Sequence, residues 1–324
     1  SYWAAHGVLA ASAGDYAASW FDFLLLLSNA LMVLTLAALF ANRVFYPGWS
    51  DLLGNDMNRK TPPGRGWVGR VDGALRWLRE PHRALVTKDI KLFWRDTTQW
   101  SQFVIFFGIM AVYVASLRDR ASLDTTDWWR PLVICLNIGA CTLILATLTS
   151  RFVFPLISLE GRRFWVVGLA PLTFRQLILQ KFWLSVGTTS VFTISLVILS
   201  CSMLNAEPIF FALSLYCIVI TNFALSGLAV GLGSLFPNFQ EDNPARIVSG
   251  MGGTLNFLLS MVYITIVIGA QSTVMICHSK GLFPTQQDFH TALAAVVAGM
   301  AILSALTTYL PLRLGLRNLE RSEY

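Results

Sequence analysis

The chain has 324 residues, of which 55% are hydrophobic and only 13% charged, and its mean hydropathy is +0.59. Soluble domains are about 25% charged, so these values exclude an ordinary water-soluble protein. The net charge of +6 is no sign of nucleic-acid binding, because excess Lys and Arg in so apolar a chain mark cytoplasmic loops.

Continuous apolar runs predict seven membrane-spanning helices, at 20–41, 102–117, 131–150, 182–203, 209–235, 253–276 and 291–312. Runs of about 20 residues match a hydrocarbon core of about 30 Å. The runs do not alternate in polarity, so a β-barrel is not expected. Lipid offers no partner for open backbone groups, so the spans must be helical. The fold expected is all-α, a polytopic transmembrane helical bundle. Its divisions are a first span with an external N-terminus (1–46), a cytoplasmic linker with an interfacial helix (47–100) and a six-span domain (101–324).

The chain begins at Ser1 without an initiator Met and without a signal-peptide pattern, so further chain is expected upstream. Span one carries two polar residues, Asp22 toward its outer end and Asn29 deeper. Polar groups are costly inside a membrane, but Asp22 is close enough to the boundary to reach water. Residues 47–66 are rich in Pro, Gly and Asn, which is linker chemistry.

Residues 83–100 are amphipathic. At 100° per residue Val86, Ile90, Phe93, Trp94, Thr97 and Trp100 share a face, opposite Lys88, Lys91 and Arg95. A helix along the membrane surface is expected, with Lys88, Lys91, Trp94, Arg95 and Trp100 at the lipid headgroups. The alternative is a helix packed on another cytosolic helix. Four basic residues, Arg118, Arg120, Arg130 and Lys280, lie on one side of the spans, and the other 20 of the 24 lie opposite. The positive-inside rule then puts the N-terminus outside and the C-terminus in the cytoplasm.

After span three comes the stretch "SLEGRRFWVVGLAPLTFRQ". A short helix from Ser158 to about Gly168 is expected, followed by a restart at Pro171. Thr173 with Gln176 has the spacing of a capping box, and Leu172 and Leu177 that of its staple. A charged, aromatic-bearing helix here suits a docking surface, where Arg and Trp are favoured anchors. The loop "FPNFQEDNPARIV" repeats the theme with Glu241, Asp242 and Arg246, and Asn243-Pro244 reads as a helix start opening span six.

Polar residues inside the later spans are Asn137, Asn222 and Asn256, more often interhelical glue than substrate ligands. Gly227 and Gly231 form a GxxxG pair, which permits close packing and would equally serve a flexible gate. No catalytic constellation is present. No lysine follows a glycine, so a GxxxxGK[ST] loop is absent, as are HExxH and GxSxG. His6, His82, His278 and His290 are scattered at no metal-ligand spacing, and no metal site is expected. Cys135, Cys141, Cys201, Cys217 and Cys277 form no CxxC pair and read as small hydrophobes.

Three stretches, "KDIKLFWRDTTQWSQ", "SLEGRRFWVVGLAPL" and "FPNFQEDNPARIVSGMGGTLNFLLS", resemble bacterial type-two ATP-binding-cassette exporter permeases. The closer likeness is to exporters with two related membrane halves in one chain, of which this resembles the C-terminal half. The resemblance implies a permease in the bacterial inner membrane. Residues 83–100 would be its interfacial helix and 158–168 its coupling helix. Glu160, Gly161, Arg162, Arg163 and Trp165, with Glu241, Asp242 and Arg246, would then contact a separate ATPase subunit. On that reading the chain is no enzyme and binds no cofactor, ATP belongs to the partner subunit, and the other partners are the lipid bilayer and a missing first half or second permease copy. A structural membrane subunit and a secondary transporter or channel are the alternatives.

Overall fold

In a computed structural model of the chain, the residues described are 2–54, 80–95, 129–163, 173–204, 206–241 and 243–321, with isolated helical positions at Gly73, Ser101, Val104, Ile105, Gly108 and Val112. Most of span two therefore lies outside the described residues. Two units divide at residue 66.

The first unit is a helical hairpin of α1 (Tyr2–Ser12) and α2 (Tyr16–Gly54). Gly14 takes φ +84° at the turn, a conformation that glycine adopts without a Cβ clash. Asp15 then accepts from the Ala18 amide, which caps α2. The apolar window of α2 buries none of its residues within the unit. Asp22 is the exception on that helix. It is 5% exposed and faces His6 Nδ1 at 2.7 Å.

The second unit comprises α3 (Glu80–Arg95), α4 (Trp129–Leu148), α5 (Phe174–Met203), α6 (Pro208–Leu235), α7 (Pro244–Ser249), α8 (Met251–Ser279) and α9 (Gln286–Arg321). Among the described residues of the whole chain, six helical segments are long and apolar enough to cross a membrane, and no strand occurs. The protein is a polytopic helical bundle. Each predicted span that falls on described residues is helical; α2, α5, α8 and α9 extend beyond their apolar runs, whereas α6 matches its run to within a residue and α4 ends at Leu148, where the backbone turns π.

α6 is the central helix, packed against α4, α5, α8 and α9. One apolar cluster includes Ile138, Leu145, Cys217, Ile218, Leu225, Val267 and Met275. A second, toward the loop end, includes Phe154, Ile157, Leu177, Leu228, Leu232, Ile247 and Leu319. Between membrane helices lipid is as apolar as Leu, so association rests on close van der Waals packing and hydrogen bonds. The α6–α9 seam shows the first. A Cβ on Gly227 would lie 2.7 Å from Thr308 Cγ2, and one on Gly315 would lie 2.6 Å from the Gly231 carbonyl oxygen. The GxxxG pair is spent on packing. Asn318 of α9 adds bonds to the carbonyls of Ser234 and Leu235, at 3.3 and 3.1 Å, which satisfies the open end of α6.

Two local expectations change. Of the helix expected at 158–168, the described part, Ser158–Arg163, is not α-helical. α4 loosens into a π turn (Thr149–Val153) and a 3-10 turn (Phe154–Leu156), where Pro155 has no amide to donate. A second 3-10 segment, Ser158–Arg163, bends at Gly161, whose φ of +61° breaks the helical path. Residues 164–172 lie outside the described residues. Asn243-Pro244 does start a helix, with Asn243 Oδ1 accepting from the Ala245 amide at 3.0 Å. That helix is only the short α7, because Gly250 turns extended (ψ 173°) before α8 begins.

Candidate functional site

The capping box at Thr173 sets the phase of α5. Thr173 Oγ1 accepts from the Gln176 amide at 3.3 Å, and Gln176 Oε1 accepts from the Thr173 amide at 3.0 Å. With Leu177, Ile178 and Phe182 turned inward, Gln180 and Lys181 fall on the buried side too. Lys181 is 1% exposed, so its ammonium needs negative partners within the protein. α3 supplies Asp89, buried with Val86 and Thr87 on its inner face. The 3-10 segment supplies Glu160.

These groups form a closed network. Lys181 Nζ donates to Asp89 Oδ1 at 2.7 Å and to Glu160 Oε1 at 2.8 Å. Lys88 Nζ donates to Glu160 Oε2, and Gln180 Nε2 donates to Asp89 Oδ2 at 3.2 Å. All four carboxylate oxygens thus hold a donor, and two cations balance two anions. Removing such charges from water costs several kcal/mol per ion, which only close, fully hydrogen-bonded geometry offsets. A cavity of about 60 Å³ adjoins the network, bounded by Asp89, Glu160 and apolar side chains including Phe93 and Phe152. That is room for a few waters at most.

The network joins three elements of distant sequence, α3, the Ser158–Arg163 segment and α5. A fourth joins through Ser158. Its buried hydroxyl accepts from the Asn238 amide at 3.0 Å, which ties the segment to the loop between α6 and α7. The two loops that the sequence singles out therefore touch.

The expected contact residues divide. Glu160 and Gly161 turn inward, and Glu160 is committed to Lys88 and Lys181 rather than exposed. Arg162 and Arg163 end the 3-10 segment, with side chains outside what is described, and Trp165 and Asp242 lie outside the described residues altogether. Glu241 accepts from the Asn243 amide and pairs at 3.5 Å with Arg246, which is 75% exposed in its side chain. Of the expected headgroup residues, Lys91 and Trp94 are exposed, while Lys88 is bound to Glu160. The Arg95 side chain and Trp100 lie outside the described residues. α3 packs an inner face that holds Val86 on the bundle and leaves Leu92 and Trp94 open, so the face expected to hold both Val86 and Trp94 is split.

The polar span residues also separate. Asn29 is exposed and bonds its own helix at the Leu25 carbonyl. Asn222 is the hub of an α5–α6 seam, donating to Ser190 Oγ at 2.6 Å and to the Val186 carbonyl at 3.2 Å, and accepting from Thr189 and Ser226. Asn256 donates to Ser150 Oγ at 2.7 Å. Asn137 is fully buried, and neither polar atom of its amide has a partner among the described residues. Asp89, Gln180 and Lys181 are absent from the sequence-level site. Their signal is a lysine in register with Leu177, Ile178 and Phe182, which demands a buried acid elsewhere in the chain.

The family model described as "Putative ATP-binding cassette" matches residues 1–324. Comparison with curated proteins and with solved structures finds no match. The family description overturns two expectations together, that the chain has no ATPase function of its own and that ATP is held only by a partner, because it names an ATP-binding cassette over the whole length. The described residues of the site do not themselves fit a triphosphate. Lys88 and Lys181 are both paired to carboxylates, and the adjoining cavity is about 60 Å³.

Proposed function

The chain belongs to this ATP-binding-cassette family, and from that premise we propose that it serves as the membrane permease of an ATP-driven exporter in the bacterial inner membrane. The observation that carries the reading is the Lys88–Glu160–Lys181–Asp89 network, in which every member but Lys88 has a buried side chain. A transporter must turn an event in its loops into a movement of its spans. Here the Ser158–Arg163 segment is the receiving end, with the α6–α7 loop hydrogen-bonded beside it. An ATP-binding-cassette partner docks on this pair of loops, with Arg162, Arg163, Trp165, Glu241, Asp242 and Arg246 as its contacts.

Displacing Glu160 pulls on Lys181 at the root of α5 and on Lys88 of α3 at once. The Lys181 pairs with Asp89 and Glu160 are buried, so they are screened less than a solvated surface pair, whereas Lys88 keeps contact with solvent. Transport then requires two arrangements of α5 and α3 about the central α6, with the partner favouring one of them. The basic loops face the cytoplasm and the loop at Lys280 faces outside.

The test is Glu160→Gln in the full transporter reconstituted in vesicles. The amide keeps the shape and some hydrogen bonds, and Lys181 keeps Asp89. The expected outcome is a chain that still inserts and holds its partner but has lost substrate-stimulated turnover. Wild-type stimulation in the variant would refute the coupling role.

A further inference from the structure

A second cavity, of about 430 Å³, opens between the π turn at Thr149–Val153 and the α7–α8 corner. Its volume falls in the range of about 300–1,000 Å³ typical of ligand sites. Arg151 lines it, and this guanidinium has neither an ion pair nor a hydrogen bond among the described residues. Ser150 lines it too and is 5% exposed. Its oxygen accepts from Asn256, which leaves its own O–H free to donate. The mouth carries Phe257 and Leu258, 46% and 61% exposed. The cavity lining therefore combines a free cation and a free hydroxyl with exposed apolar side chains.

We infer that this cavity binds the headgroup of an anionic membrane lipid, with Arg151 and Ser150 on the phosphodiester and Phe257 and Leu258 against the first methylenes of the acyl chains. A partly buried guanidinium without a partner is costly, and a phosphate diester supplies both the charge and acceptors in the fork geometry that Arg prefers. Basic pockets between membrane helices are suited to acidic headgroups. A freely soluble anion would have no use for the apolar mouth. Gly253 shapes the wall, because any Cβ there would collide with the Val248 backbone and push the corner outward. This inference stands apart from the coupling role, since Arg151 takes no part in the Glu160 network.

The full chain, purified in mild detergent, is mixed with equal amounts of phosphatidylglycerol and phosphatidylcholine, and retained lipid is counted by native mass spectrometry. The expected result is one phosphatidylglycerol held in preference to phosphatidylcholine. Arg151→Gln lowers its retention about tenfold, the scale of one lost charge-assisted hydrogen bond, and Arg151→Lys recovers part of it. Thr254→Trp, at an exposed position on the cavity wall, fills the space and also expels the lipid. Excess inorganic phosphate leaves the lipid in place. Equal retention of the two lipids, or Arg151→Gln and Thr254→Trp chains that hold phosphatidylglycerol as the wild type does, would overturn the inference. Displacement by phosphate alone would overturn it in favour of a soluble-anion site. If Arg151→Gln does not fold, the lipid preference of the wild type and the Thr254→Trp variant decide the matter.

Discussion

The α6–α9 seam and the α3–α5 junction join helices by opposite means. Along the seam, Gly227, Gly231 and Gly315 remove side chains so that backbones meet, and no group between the helices can rearrange. At the junction, Lys181, Lys88, Glu160 and Asp89 reach across on long arms, and each arm has more than one charged neighbour. Lys88 stands 93 positions before Lys181 yet shares Glu160 with it, and its Nζ is 4.0 Å from Asp89 Oδ1 as well. Close packing specifies one geometry. A shared set of ion pairs can pass through intermediate pairings without leaving any charge bare. The seam is thus held by backbone contact and the junction by shared ion pairs.

The comparison breaks most sharply at Lys181. Lys181→Met leaves Asp89 and much of Glu160 buried without their shared cation, and should cost about 3–5 kcal/mol, read as a fall in thermal unfolding temperature in detergent. Adding Asp89→Leu and Glu160→Leu to that variant should recover the loss, because an apolar replacement of a buried ionic group is often neutral or stabilising. A triple variant as unstable as the single one would mean that Lys181 acts through packing instead.

The seam should respond differently. Gly231→Ala puts a methyl into the Pro311–Leu312 backbone, an overpacking worth about 1–3 kcal/mol. Gly187→Ala, on α5, meets nothing within 4 Å and should hold or gain up to about 1 kcal/mol by removing a helical glycine. Equal losses at the two glycines would show that helix propensity, not close approach, governs the seam.

Smaller effects sharpen the contrast among the polar groups. Asn222→Leu removes the hub of the α5–α6 hydrogen bonds and should cost about 1 kcal/mol, since interhelical bonds in membranes average about 0.6 and reach about 1.7. Asn137→Leu should cost least of all and even stabilise. Its amide has no partner among the described residues, and an unsatisfied buried polar group carries an unrepaid desolvation cost of about 1–3 kcal/mol. Unfolding by denaturant in mixed micelles separates the two variants. A large loss in Asn137→Leu would reveal a partner for that amide.

Features that repeat or close within a few residues are legible along the chain. Apolar runs of span length announce helices that lipid compels, Thr173 and Gln176 announce a capping box three residues long, and Gly227 with Gly231 announces one turn of close approach. The remaining features depend on contacts between distant segments. Lys181 reads locally as one more basic residue at the edge of a span, and only pairing with Asp89, 92 positions away, makes it a buried cation. Glu160 reads as an exposed anchor until the positive φ of Gly161 and the placement of α3 turn it inward. Asn243-Pro244 promises the start of a span, but the extended backbone at Gly250 detaches α7 from α8. Arg151 looks like any other loop cation until the described residues around it prove to hold no acid. The physical reason is common to all four. Helix formation is set by neighbours along the chain, whereas burial and charge pairing are set by whichever distant segment the packing brings within about 3 Å.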